Sequence, residues 1–97
     1  MLFCVICMDK PNSLPLRQAT RPAHIEYVSQ SPNTVKLGGP LMDEDGTSMI
    51  GTMLIIEAEN RADAEAFVAN DPYNLAGLFH NAEVHPWNHL IGSLPPA

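Results

Sequence analysis

Residues 2–8 read Leu-Phe-Cys-Val-Ile-Cys-Met, and what that run can become decides the fold. Seven apolar residues closed by Asp9-Lys10-Pro11-Asn12 predict a strand. Alternate residues of a strand face opposite sides, so Phe3, Val5 and Cys7 share one face and Leu2, Cys4, Ile6 and Met8 the other. Both faces are apolar. Residues 49–58 behave alike, with Thr52, Leu54 and Ile56 on one side and Met53 and Ile55 on the other. A sheet apolar on both faces needs both faces covered.

The segments around these strands supply the cover for one face. Residues 13–30 are mostly helical in character, with Pro22 as an interior irregularity and Ser31-Pro32-Asn33 as a stop. A short strand over 34–37 is expected to end at Gly38-Gly39-Pro40, and the acidic loop Asp43-Glu44-Asp45-Gly46 follows. Asn60 is placed to cap a helix over 61–70, with Asp63 at its third position. Asp71-Pro72 ends that helix, because a residue before proline is driven out of the α region. One helical turn over 72–76, a last strand over 78–86 and an irregular tail over 90–97 complete the chain. The order is β-α-β-β-α-β, a ferredoxin-like α+β domain over residues 1–97 with helices on one face of an antiparallel sheet. Two helices cover one face, so a second copy is expected on the other, making a homodimer and a dimeric α+β barrel.

Composition narrows the function. The 97 residues are 45% hydrophobic and 16% charged, enough for one core and not the profile of a disordered chain. A net charge of −6 lacks the basic stripe that a nucleic acid needs. No apolar run approaches the roughly 20 residues of a membrane span, and the run after Met1 has no basic segment before it, so neither membrane association nor a signal peptide is expected. Two cysteines are too few for a secreted disulfide scaffold, and the chain is read as cytoplasmic. Cys4 and Cys7 form a C-x-x-C, but three residues along a strand they face opposite ways and are read as packing residues rather than a redox or zinc pair.

The first helix carries the sharpest chemical signal. Arg17, Arg21, His24 and Val28 are spaced 4, 3 and 4 apart and share one face; Leu16, Thr20, Ala23 and Tyr27 form a second. Two arginines and an imidazole suit the wall of a cleft for an anion, against the plainer alternative of a solvated helix face. Asp71 is first an N-cap with proline after it, yet a carboxylate has about four lone-pair sites and can also face an imidazole. The other candidates are structural. His85 and His89 are separated by Pro86, His80 shares strand parity with Leu78, Ala82 and Val84 and is read as a core or pocket-wall residue, and Trp87 packs at the strand's end. Asp43, Glu44 and Asp45 lack the 12-residue spacing and closing glutamate of a calcium loop. No metal site, glycine-rich phosphate loop or nucleophile elbow is present in the sequence.

Taken in order, these residues resemble the YCII-related family of small α+β proteins. The likeness runs through Asp9-Lys10, Arg17, Arg21-Pro22-Ala23-His24, Gly38-Gly39-Pro40-Leu41, Gly51-Thr52 and Glu57-Ala58. Its most specific piece is Asn70-Asp71-Pro72-Tyr73 followed by Ala76-Gly77-Leu78-Phe79, and it closes on Val84 and Pro86-Trp87. The resemblance implies a fold that dimerises through its sheets and a catalytic His-Asp dyad at His24 and Asp71; the cationic face of Arg17 and Arg21, with Tyr73, is expected to bind the substrate. It further implies acid–base chemistry without a cofactor on a small phenolic or anionic substrate. One similar member removes HCl from a chlorinated hydroxyhydroquinone in aromatic degradation; isomerisation in the manner of the muconolactone isomerases and non-catalytic ligand binding are the alternatives.

Overall fold

The computed structural model describes residues 1–93. Its elements are β1 (Leu2–Asp9), α1 (Leu14–Ser29), β2 (Val35–Met42), β3 (Met49–Glu57), α2 (Arg61–Ala69), α3 (Pro72–Leu75) and β4 (Phe79–Trp87). The strands form one sheet in the order β2-β3-β1-β4, and each neighbouring pair is antiparallel. With the helices packed on one side, this is the ferredoxin-like arrangement that the strand and helix order implied. Residues 90–93 of the expected tail carry neither helix nor strand, and 94–97 lie outside the described residues.

Alternation of the two central strands makes the core. Phe3, Val5 and Cys7 of β1 lie opposite Ile56, Leu54 and Thr52 of β3, and all six are buried. Ala64 and Val68 of α2 close over them. Fully burying a Val, Leu, Ile or Phe side chain contributes roughly 1.5 to 3 kcal/mol, so this layer dominates the stability of the fold. On the far side of the sheet Leu2, Cys4, Ile6, Met8 and Met53 are only half-buried. The apolar character of both faces is therefore real.

Two local expectations are corrected. Strand β2 does not end at Gly38-Gly39-Pro40 but runs through it to Met42, with Gly38 opposite Leu54 and Pro40 opposite Thr52. It is an edge strand, where a residue without an N–H costs no ladder bond if that position faces outward. A Cβ on Gly38 would collide with Leu54 Cδ2 and lie 2.9 Å from the Met53 carbonyl oxygen, so the glycine is what lets β2 approach. The second correction is His80, which is exposed rather than on the core wall. Register shifts between Met8, which pairs with Asn81, and Asp9, which pairs with Phe79, so His80 falls in the irregularity and half-buried Phe79 takes the inward place.

Helix α2 begins as its sequence dictates, with Asn60 accepting a hydrogen bond from the Asp63 N–H at 2.8 Å. The acidic loop is a turn: Asp43 and Asp45 accept hydrogen bonds from Thr47 and Ser48 and close the β2–β3 hairpin. Cys4 and Cys7 point to opposite faces, the second buried in the core.

Candidate active site

Helix α1 turns its polar stripe inward. Its only buried residues are Arg17 and His24, while Leu16 and Ala23 are exposed and Thr20 and Tyr27 half-buried. Polar side chains bury only when they are partnered. Each of these two has found its partners in segments distant in sequence.

Arg17 is held by β1 and β3. Its Nε and Nη2 donate to the two oxygens of Asp9 at 2.7 and 3.0 Å, and Nη2 also donates to Thr52 Oγ1 at 2.7 Å. Burial works to lower the guanidinium pKa, but the hydrogen bond and charge of Asp9 outweigh it and hold the value above the ordinary one. Arg17 is thus a fixed cation whose charge is matched inside the fold. Its guanidinium carbon lies 4.5 Å from the centre of the Tyr73 ring.

His24 is held from the α2–α3 junction. Asp71 has extended backbone, φ −62° and ψ 131°, as the following proline requires. Its Oδ1 accepts the Tyr73 N–H at 2.9 Å and so caps α3. The same carboxylate places Oδ1 and Oδ2 at 2.9 and 3.0 Å from His24 Nδ1. An ionised carboxylate only accepts, so Nδ1 carries the proton and Nε2 of the neutral ring is left as a base. Both side chains are buried, His24 at 8% and Asp71 at 3% exposure. The Tyr73 ring stacks on the imidazole, 4.1 Å between centroids and 19° between planes. Burial raises the Tyr73 hydroxyl above its ordinary pKa, with the charges of Arg17 and Arg21 opposing.

A cavity of about 240 Å³ opens between α1 and the β2–β3 edge of the sheet. Arg17, Arg21, His24 and Tyr73 line it, with Thr52 and the Gly38-Gly39-Pro40 stretch on the sheet side and Ile25, Val28, Met49 and Leu54 as apolar wall. Asp71 stands behind His24 and is not part of the lining. No hydrogen bond occupies His24 Nε2, and among the described residues no fully buried side-chain nitrogen or oxygen lacks a partner. Nε2 is therefore the nitrogen presented to the opening. Arg21 is exposed at the rim and forms no ion pair among the described residues.

All five residues singled out in the sequence meet here: His24 and Asp71 in contact, Tyr73 against His24, and Arg17 and Arg21 on the lining. Asp9 and Thr52 were missed as site residues, although a hydroxyl in a strand face otherwise filled by Leu54 and Ile56 was a usable signal. His85 stands apart, pairing with Glu83 at 3.0 Å on the outer face of the sheet.

Comparison with known proteins identifies the family. A family model described as the YCII-related domain matches residues 1–88. Protein YciI of Escherichia coli O6:H1 is 30% identical over 98 residues, spanning 94% of this chain and 100% of that protein. Among solved structures, the 5-chloro-2-hydroxyhydroquinone dehydrochlorinase TftG of Burkholderia phenoliruptrix AC1100, in complex with 2,5-dihydroxybenzoquinone, superposes with a TM-score of 0.84. It is 36% identical and covers 92% of this chain and 95% of its own. An antibiotic biosynthesis monooxygenase, 15% identical at a TM-score of 0.55 over 94% of this chain and 100% of its own, shares the fold alone. On the family match and the identity to YciI, the chain belongs to the YCII-related family.

Proposed function

We propose that this protein is a cofactor-independent acid–base lyase that dehydrochlorinates a chlorinated hydroxyhydroquinone, with His24 as general base and Asp71 as the group that orients it. One observation carries the reading: a buried imidazole anchored through Nδ1 to a carboxylate presents Nε2 to a cavity with an unpaired arginine at its rim. The kinship to a dehydrochlorinase supports the choice of substrate class. Cavities of roughly 150 Å³ hold benzene, so 240 Å³ accommodates one substituted ring.

The chemistry needs proton movement and a cation. Nε2 takes the proton of the hydroxyl next to chlorine, and the resulting phenolate is held by Arg21, since the charge of Arg17 is matched by Asp9. The imidazolium returns that proton to the chlorine-bearing carbon, which becomes tetrahedral beside a new ketone. Nε2 then takes the proton of the hydroxyl para to that ketone. The O–H pair forms a second carbonyl, the ring double bond shifts, and the C–Cl bond breaks with its electrons leaving on chloride. The sum is loss of HCl and formation of a hydroxybenzoquinone, with no change in the oxidation state of the protein. Asp71 balances the imidazolium charge at each stage, and positioned acid–base catalysis of this kind supplies about 10² to 10⁴ in rate.

The test is incubation of the purified protein with 5-chloro-2-hydroxyhydroquinone while following free chloride and quinone absorbance. Stoichiometric chloride and quinone are expected, and His24→Ala should slow both by about 10² to 10⁴. Absence of chloride release by the unaltered protein overturns the lyase. Conversion of a lactone or dienol in its place would make the same dyad an isomerase, and a phenol bound but unchanged would make the cavity a binding site only.

A further inference from the structure

Thr52 stands on the cavity wall with a proton to give. It is 3% exposed and lies on the lining of the same cavity as His24. Its Oγ1 accepts from Arg17 Nη2 at 2.7 Å, and the direction of that bond is fixed because a guanidinium has donors only. The hydroxyl hydrogen is thus not used by Arg17, and no side-chain hydrogen bond among the described residues has Thr52 as donor. On the wall of the cavity that hydrogen is available to whatever oxygen enters the opening. The side chain also cannot drift, since Arg17 is clamped in turn by both oxygens of Asp9.

We infer that Thr52 is a further catalytic residue, the hydrogen-bond donor that receives the substrate's oxygen, resting on the lyase reading above. A hydroxyl that accepts from a cation is polarised and donates more strongly than a free one. It therefore stabilises an oxygen more as negative charge develops on it, as each O–H proton leaves for His24. Arg17 and Asp9 are positioning residues in this scheme, acting through Thr52. The cavity then offers a base from α1 and a polarised donor from β3, a pairing suited to hydroxylated rings that ionise and poorly suited to hydrocarbons.

The experiment compares Thr52→Val, which keeps shape and loses the hydroxyl, with Thr52→Ser, which restores it. The first readout is chloride release from 5-chloro-2-hydroxyhydroquinone; the second is binding of 4-nitrophenol, whose absorbance distinguishes phenol from phenolate and needs no turnover. Thr52→Val is expected to lower kcat/KM by about 10² and to weaken nitrophenolate binding relative to nitrophenol, with Thr52→Ser restoring both. Thr52→Ala, which leaves the Asp9–Arg17 pair in place, carries the same expectation where the valine chain does not fold. Unchanged nitrophenolate preference in Thr52→Val or Thr52→Ala, or failure of Thr52→Ser to restore it, overturns the inference. If the unaltered protein binds nitrophenolate through Thr52 but releases no chloride, the lyase reading fails and the donor role stands.

Discussion

Asp71 does two things with one carboxylate, and separating them is the residue-scale test of the site. As a cap it satisfies the Tyr73 N–H, and as a dyad member it holds His24 Nδ1. Asparagine caps a helix about as well as aspartate but carries no charge to balance an imidazolium. Asp71→Asn is therefore expected to unfold near the unaltered chain in urea while losing about 10² to 10⁴ in turnover. Asp71→Ala should lose a similar rate and a further ~1 kcal/mol of stability with the cap. Full turnover in the asparagine variant would reduce Asp71 to a cap. Both contacts of Asp71 were open to a reading of the sequence, because a short polar residue before proline announces a cap and a carboxylate has acceptor sites to spare. The company of Arg17 was not: Asp9 and Thr52 are 8 and 35 residues away, and only the sheet brings them together.

Among the elements, β2 and α1 read least like what they are. Glycine and proline punctuate most chains, yet an edge strand is where a sheet admits a proline such as Pro40, and Gly38 makes close approach to Leu54 feasible. The two adjacent glycines should therefore respond oppositely to a methyl group. Gly38→Ala drives a Cβ against Leu54 and the Met53 carbonyl and is expected to cost about 1 to 3 kcal/mol. At Gly39 a Cβ meets nothing within 4 Å, and Gly39→Ala is expected to be neutral or to stabilise by up to about 1 kcal/mol. Chemical denaturation of the pair measures this, and equal losses would mean that β2 does not pack as described. In α1 the spacing put Arg17, Arg21 and His24 on one face, which lines the cavity, while the burial of two members depended on Asp9, Thr52 and Asp71 and so on the tertiary fold.

For the whole molecule, charge and apolar surface point to different partners. The net −6 hides a division: residues 1–36 carry +2 and residues 37–97 carry −8, so a small anion finds a cationic neighbourhood only near α1. The outer sheet face is the larger demand. Cys4, Ile6, Met8 and Met53 sit there half-buried, and β4 sets His85, Glu83 and Asn81 beside the first three as a polar margin. An apolar centre with a polar rim fits a second copy, and a dimer is expected at micromolar concentration by sedimentation. The two thiols make the same question chemical. Burial, then Asp71 and Asp9, push the Cys7 thiol up to about 12, so it stays protonated and unreactive at pH 8 to 9. Cys4, raised by burial alone, is then the only reporter. Its alkylation is expected to be slow where the chain is dimeric and to reach one thiol per chain on dilution, faster as pH rises because thiolate is the reacting form. A chain that sediments as a monomer at micromolar concentration, with Cys4 alkylated at a rate independent of dilution, would leave the outer face to solvent or another partner. Cys7 adds a sign of its own. Its thiol ionises near 9 when unfolded and near 12 when folded, so its contribution to stability is complete below pH 9 and is lost as pH rises towards 12. A fold that held constant stability across that interval would contradict the burial of Cys7 against two carboxylates.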